Sequence, residues 1–141
     1  RDLRLAGWEK TIFEDSFGHI TQYRSSATIE YADGDLSRIV YSEDGLTRET
    51  LTFTPSNLVN TNGLLPELAA KQLGLLGFEH LYYAGLFGRP TVHLVQALHV
   101  EDLLDEGSSY SVDFDYTQRN GNYELCNYRY RGKAASVAYE Y

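Results

Sequence analysis

Ser111-Val112-Asp113-Phe114-Asp115-Tyr116, a polar step from Thr117 to Asn122 that contains Asn120-Gly121, and then Tyr123-Glu124-Leu125-Cys126-Asn127-Tyr128-Arg129-Tyr130: this stretch decides the fold. On both sides of the step apolar or aromatic residues alternate with polar ones, which is the period of a half-buried strand. Asn-Gly tolerates the positive φ angles of a tight turn, so the stretch reads as a β-hairpin. The pattern recurs toward the N-terminus. Thr28 to Tyr31 leads through Ala32-Asp33-Gly34-Asp35 into Leu36 to Tyr41, and weaker copies run from Phe13 to Tyr23 around Phe17-Gly18 and from Val40 to Phe53 around Asp44-Gly45. A last strand, Ser136 to Tyr141, places Val137, Tyr139 and Tyr141 on one face. The expected class is mainly β: an antiparallel sheet of repeated hairpins with a short helical insert.

The insert is different text. Asn57 to Asn62 is loop-like, after which Leu65, Leu68, Ala69, Leu73 and Leu76 recur at helical spacing, with Pro66 and Glu67 suited to a first turn. Gly74 and Gly77 limit that helix; Phe78 to Ala84 forms a second short turn, and Gly88-Arg89-Pro90 leads into a strand from Thr91 to Val100. The chain is read as one domain, 1–141, with the insert at about 62–88. Leu68, Leu73, Leu76 and Phe87 form its densest apolar cluster and are expected to cover one side of the sheet, which would otherwise leave a large apolar patch in water.

A chain of 141 residues can withdraw roughly 70% of its unfolded surface from water, enough for one core. Its formal charge of −8 argues against nucleic acid and anionic lipid as partners. No run approaches eighteen apolar residues, so no transmembrane helix is expected. The lone Cys126 has no internal disulfide partner and reads as a buried thiol. The chain begins at Arg1 and lacks Met, so a trimmed or a mature form is expected, and the lack of a signal peptide in it carries no argument.

Three further pieces, in order, carry a family resemblance: the Tyr-x-x-Asp-Gly-x-Leu-type hairpin at Tyr31 to Leu36, the Asn-rich loop feeding a Leu-rich insert at Asn57 to Leu76, and Gly85-Leu86-Phe87-Gly88-Arg89-Pro90-Thr91-Val92-His93-Leu94. Together they resemble a family of secreted, mostly lipid-anchored proteins of unknown function from anaerobic gut bacteria, built of aromatic strand, Asp-Gly or Asn-Gly turn and strand. That family has Asn where His93 stands and a more regular repeat. The resemblance implies a curled, porin-like antiparallel sheet and a secreted, outer-membrane or periplasmic location with a lipid anchor upstream. It brings no catalytic residues.

Catalytic chemistry finds little footing. His93 and His99 fall on one face of a strand, but six residues separate them by ~20 Å, too far to share an ion. No metal and no cofactor are expected, because no His-x-His, Glu-x-x-His or Cys-rich spacing occurs. Asp113 and Asp115, about 6 to 7 Å apart on one strand face, have a separation seen for the carboxylate pair of glycoside hydrolases. A solvated strand face opposite Val112, Phe114 and Tyr116 is the preferred reading, because a charged alternating face needs no other explanation. Aromatic side chains are the surplus: 13% of the chain, twelve of them Tyr. A tyrosine offers a flat apolar face and a polar tip to a sugar ring or a protein. Tyr128 and Tyr130 project to one side of their strand, away from Tyr123 and Leu125. They, or Phe87 and Arg89 of the Gly85 to Pro90 loop, are the expected ligand contacts. The expected function is non-catalytic binding of a glycan or a cell-surface protein through an aromatic sheet face, with a carboxylate-based glycan hydrolase as the alternative.

Overall fold

The structure, a computed structural model, describes residues 4–84 and 88–141, with Leu81 described in its backbone alone. Eight strands follow one another in a single antiparallel sheet in chain order: β1 (Gly7–Ser16), β2 (His19–Ala32), β3 (Asp35–Glu43), β4 (Leu46–Val59), β5 (His93–Asp102), β6 (Tyr110–Arg119), β7 (Asn122–Tyr130) and β8 (Lys133–Ala138). Two-residue turns with positive φ at both positions close the hairpins at Phe17-Gly18, Asp33-Gly34, Asp44-Gly45, Asn120-Gly121 and Arg131-Gly132. This is the turn whose own twist matches that of the strands it joins. Four of the five were expected; Arg131-Gly132 was not, because arginine carries no turn signal.

Alternation supplies the core. Ile29, Ile39, Leu51, Leu98, Val100, Val112, Phe114 and Cys126 are buried on the inner face. The segment between β4 and β5 lies across them and adds Leu65, Ala69, Leu73 and Leu75 to the same cluster. Register shifts in the β2–β3, β3–β4, β4–β5 and β6–β7 pairs mark bulges, which bend strands and curl a sheet.

The insert corrects the helical reading. Its one helix among the described residues is α1 (Glu79–Tyr83); from Pro66 to Gly77 the chain makes successive turns. Leu68, Gly74 and Gly77 all take positive φ, a conformation that an α-helix cannot contain. Leu65, Ala69 and Leu73 face the sheet as their spacing implied. The reversal at Gly74 then passes the buried position to Leu75, at 1% exposure, and leaves Leu76 at 65%. Phe87 lies outside the described residues.

Two more expectations change. Val95 and Leu98 are both core residues although three apart, because β5 is shifted against Thr54 and Pro55; His93 and His99 therefore do not share the simple alternation expected of them. His93 Nδ1 meets Asp35 Oδ2 at 2.9 Å, and His99 Nδ1 meets Ser111 Oγ at 2.7 Å. Likewise a shift between Thr117 and Gln118 turns Tyr123 to the side of Tyr116, their rings 6.1 Å apart, and buries it with Leu64 and Leu94. Among the described residues no helix is long and apolar enough to cross a membrane.

Glu67 latches the insert to the end of the chain by accepting a 2.9 Å hydrogen bond from the Tyr139 hydroxyl. Burial raises the Glu67 pKa above the usual carboxylate value, against the lowering effect of that bond. The fold therefore favours protonated Glu67. Its contribution is fully present below the unfolded-state pKa and is lost as pH rises through the raised folded value. Denaturant unfolding of Glu67→Gln, which keeps an acceptor for Tyr139, should show a stability that falls less than wild type as pH rises above that of an ordinary glutamate. Parallel profiles would contradict the assignment.

Candidate functional site

At the end of the inner face away from the Asp33-Gly34 turn, strand register assembles aromatic rings that are far apart in sequence. Trp8 pairs with Ala27, Ala27 with Tyr41 and Tyr41 with Glu49, while Val100 of β5 pairs with Tyr110. The Trp8 and Tyr41 ring centroids are 6.0 Å apart, and Tyr110 meets Tyr130 edge to face at 4.9 Å. The result is a band of rings on β1, β3, β6 and β7, half-buried except for the buried Tyr41, six strand spacings or roughly 29 Å from end to end.

The band carries its own polar groups. Lys71 Nζ stands 5.0 Å above the Tyr41 ring, and the Arg131 guanidinium is 5.4 Å from Tyr130 and 5.8 Å from Tyr110. Such cations are attracted to the negative ring face. Trp8 Nε1 donates to the Gln72 carbonyl at 2.8 Å, and Gln72 Nε2 donates to Glu49 Oε1 at 3.2 Å. Gly74 lies flat against the indole, where a Cβ would come within 2.9 Å of ring atoms. The Trp8 ring is thus fixed by one hydrogen bond and one backbone contact. Beside it opens a cleft of about 410 Å³ bordered by Trp8, Lys10, Ile12, Tyr41, Lys71 and Phe78. Burial, with Glu43 and Glu49 adding, raises the Tyr41 pKa. Burial, then Tyr130 and Glu49, pushes Tyr110 up to about 12. Both phenols stay neutral at physiological pH and act as hydrogen-bonding groups rather than bases.

The structure places Tyr130 inside this band. Tyr128 is half-buried behind it, edge to face with Phe114 at 5.4 Å. Arg89 is exposed, but its neighbour Gly88 bridges Arg4 near the Asp33-Gly34 end of the sheet, so Arg89 is not gathered with the tyrosines. Asp113 and Asp115 are both exposed, on a shallow depression shared with Ser111, Asn127 and Arg129. Cys126 is fully buried and its thiol is pushed up to about 12 by burial first and by Glu67 next, which leaves it protonated. Trp8, Tyr41, Lys71 and Tyr110 are the site residues that sequence reasoning missed; the one available signal was that Trp8 is the chain's sole tryptophan.

No protein-family model matches the chain, and no curated protein does. Among solved structures it is similar to a porin-like protein from Bacteroides uniformis ATCC 8492, with 16% identity and a TM-score of 0.58 over 93% of this chain. The chain spans 56% of that protein's length, and the likeness is one of fold: a curled antiparallel sheet.

Proposed function

We propose that this chain is a non-catalytic binding module that works outside the cytoplasm, secreted or held by a lipid anchor in the periplasm or at the outer membrane, and that the aromatic band holds a glycan. The observation that carries this reading is the fixed, half-exposed Trp8 ring beside Tyr41 and Lys71, continued across the sheet by Tyr110, Tyr130 and Arg131. Sugar rings present C–H faces that stack on aromatic planes and hydroxyls that both donate and accept. Lysine and arginine donors together with carboxylate and amide acceptors match those hydroxyls. Tyr128 supports Tyr130 from behind and belongs to the same surface. The extracytoplasmic setting rests on the family resemblance.

A glycan array read by retention and by mass analysis of the recovered sugars tests this. The expected result is a ligand recovered unaltered, with Trp8→Ala and Tyr130→Ala each weakening retention on the order of tenfold and Asp113→Asn leaving it unchanged. Turnover of a glycan that Asp113→Asn or Asp115→Asn abolishes would replace this reading with hydrolysis.

A further inference from the structure

Beyond Arg24, whose backbone N–H and carbonyl still bond Asp44, β1 and β2 pair only with one another out to the Phe17-Gly18 turn. Every residue from Glu9 to Arg24 is exposed. A lone two-stranded ribbon is marginally stable in water. This one also leaves apolar side chains in water: Ile12 at 47% and Tyr23 at 46% exposure on the side of Trp8, Phe13 and Ile20 on the opposite side, and Phe17, fully exposed, at the tip. Phe17 is the one apolar residue at the first position of these five turns. The other four turns of this geometry put Asp33, Asp44, Asn120 and Arg131 at the first position, whereas here a bulky aromatic takes φ 53° in full solvent. Departures of that kind mark function.

The inner face of the ribbon, on the side of Trp8, reads Trp8, Lys10, Ile12, Glu14 along β1 and Ala27, Ser25, Tyr23, Thr21 opposite them on β2. About Ile12 this row is self-complementary, with an aromatic ring and a cation on one side and an anion and the aromatic tip on the other. We propose that this face docks against the same face of a second copy, with strands antiparallel and a two-fold axis through Ile12. Lys10 then meets the partner's Glu14 and Glu14 the partner's Lys10. Ile12 and Tyr23 each meet their own equivalents, and the Phe17 tip falls level with the partner's Trp8, beside its exposed Leu76 and Phe78. Each contact off the axis occurs twice, as an isologous interface requires. The outer face offers no such pairs: centred on Phe13, the same operation sets Asp15 against the partner's Thr11.

A face two strands wide and roughly 30 Å long from Trp8 to the tip offers less than the ~800 Å² per partner of a standard stable interface. The dimer is therefore weak, reversible and weakened by salt. Because the partner's tip would lie beside Trp8, dimer and glycan compete for the cleft at Trp8, Lys10 and Ile12; sugar binding by a permanent monomer would refute the dimer alone.

Sedimentation velocity at low salt, from dilute to concentrated protein, tests it. Wild type should show concentration-dependent dimerisation that Ile12→Asp abolishes. Lys10→Glu and Glu14→Lys should each weaken it on the order of tenfold or more, since each sets like charges face to face. An equimolar mixture of those two variants should associate again, because each then supplies the charge the other lacks. A monomer at every concentration, or a mixture that stays monomeric, would overturn the proposal, as would a dimer indifferent to all three substitutions.

Discussion

Leu75→Ala should lower the free energy of unfolding by about 2 to 5 kcal/mol, whereas Leu76→Ala should change it by less than about 0.5 kcal/mol. Leu75 is 1% exposed and packs in the main core cluster; Leu76, its neighbour, is 65% exposed. Truncating the first leaves a cavity between insert and sheet that the surrounding β-structure cannot close. Truncating the second removes surface already in water. Denaturant unfolding of both variants checks this: similar losses at the two positions, or the reverse order, would return the insert to a regular helix with Leu76 inward.

Gly74→Ala should cost roughly 2 to 5 kcal/mol, the sum of an unfavourable backbone and an overpacked contact. Gly74 has φ 74°, and a Cβ there would stand 2.9 to 3.0 Å from three Trp8 ring atoms. Gly77 is the internal control. It has φ 82° but nothing within 4 Å of an added Cβ, so Gly77→Ala should show the backbone cost alone, roughly 1 to 2 kcal/mol. Only Gly74→Ala should also move the tryptophan emission and weaken ligand retention, because it displaces the ring on which the band is founded. Equal effects of the two substitutions on stability and emission would mean that Trp8 is not seated on Gly74.

The hairpins were legible because a strand's period and its turn residues are local signals. Asn120-Gly121 and the alternation around it lie within one short stretch, and the pairing of β6 with β7 follows. The insert was legible in composition but not in path. Leu65, Ala69 and Leu73 keep helical spacing into the core, and the positive φ at Leu68, Gly74 and Gly77, with Gly74 seated against Trp8, diverts the chain. The fate of Tyr123 turned on a single bulge opposite Gln118, which no local pattern announces. The aromatic band was illegible for a related reason. Its rings come from β1, β3, β6 and β7, and bringing Trp8 beside Tyr41 requires the registers of two successive strand pairs, each free to slip on sequence evidence alone.

Because Trp8 is the only tryptophan, its fluorescence reports on the band without a label. Titrating soluble oligosaccharides retained on the array should produce a saturable change in Trp8 emission at the concentrations that give retention, and Tyr130→Ala should shift that titration to higher concentration while leaving the free-protein spectrum unchanged. Retention of a sugar with no change in Trp8 emission at saturation would place the ligand elsewhere and contradict the account.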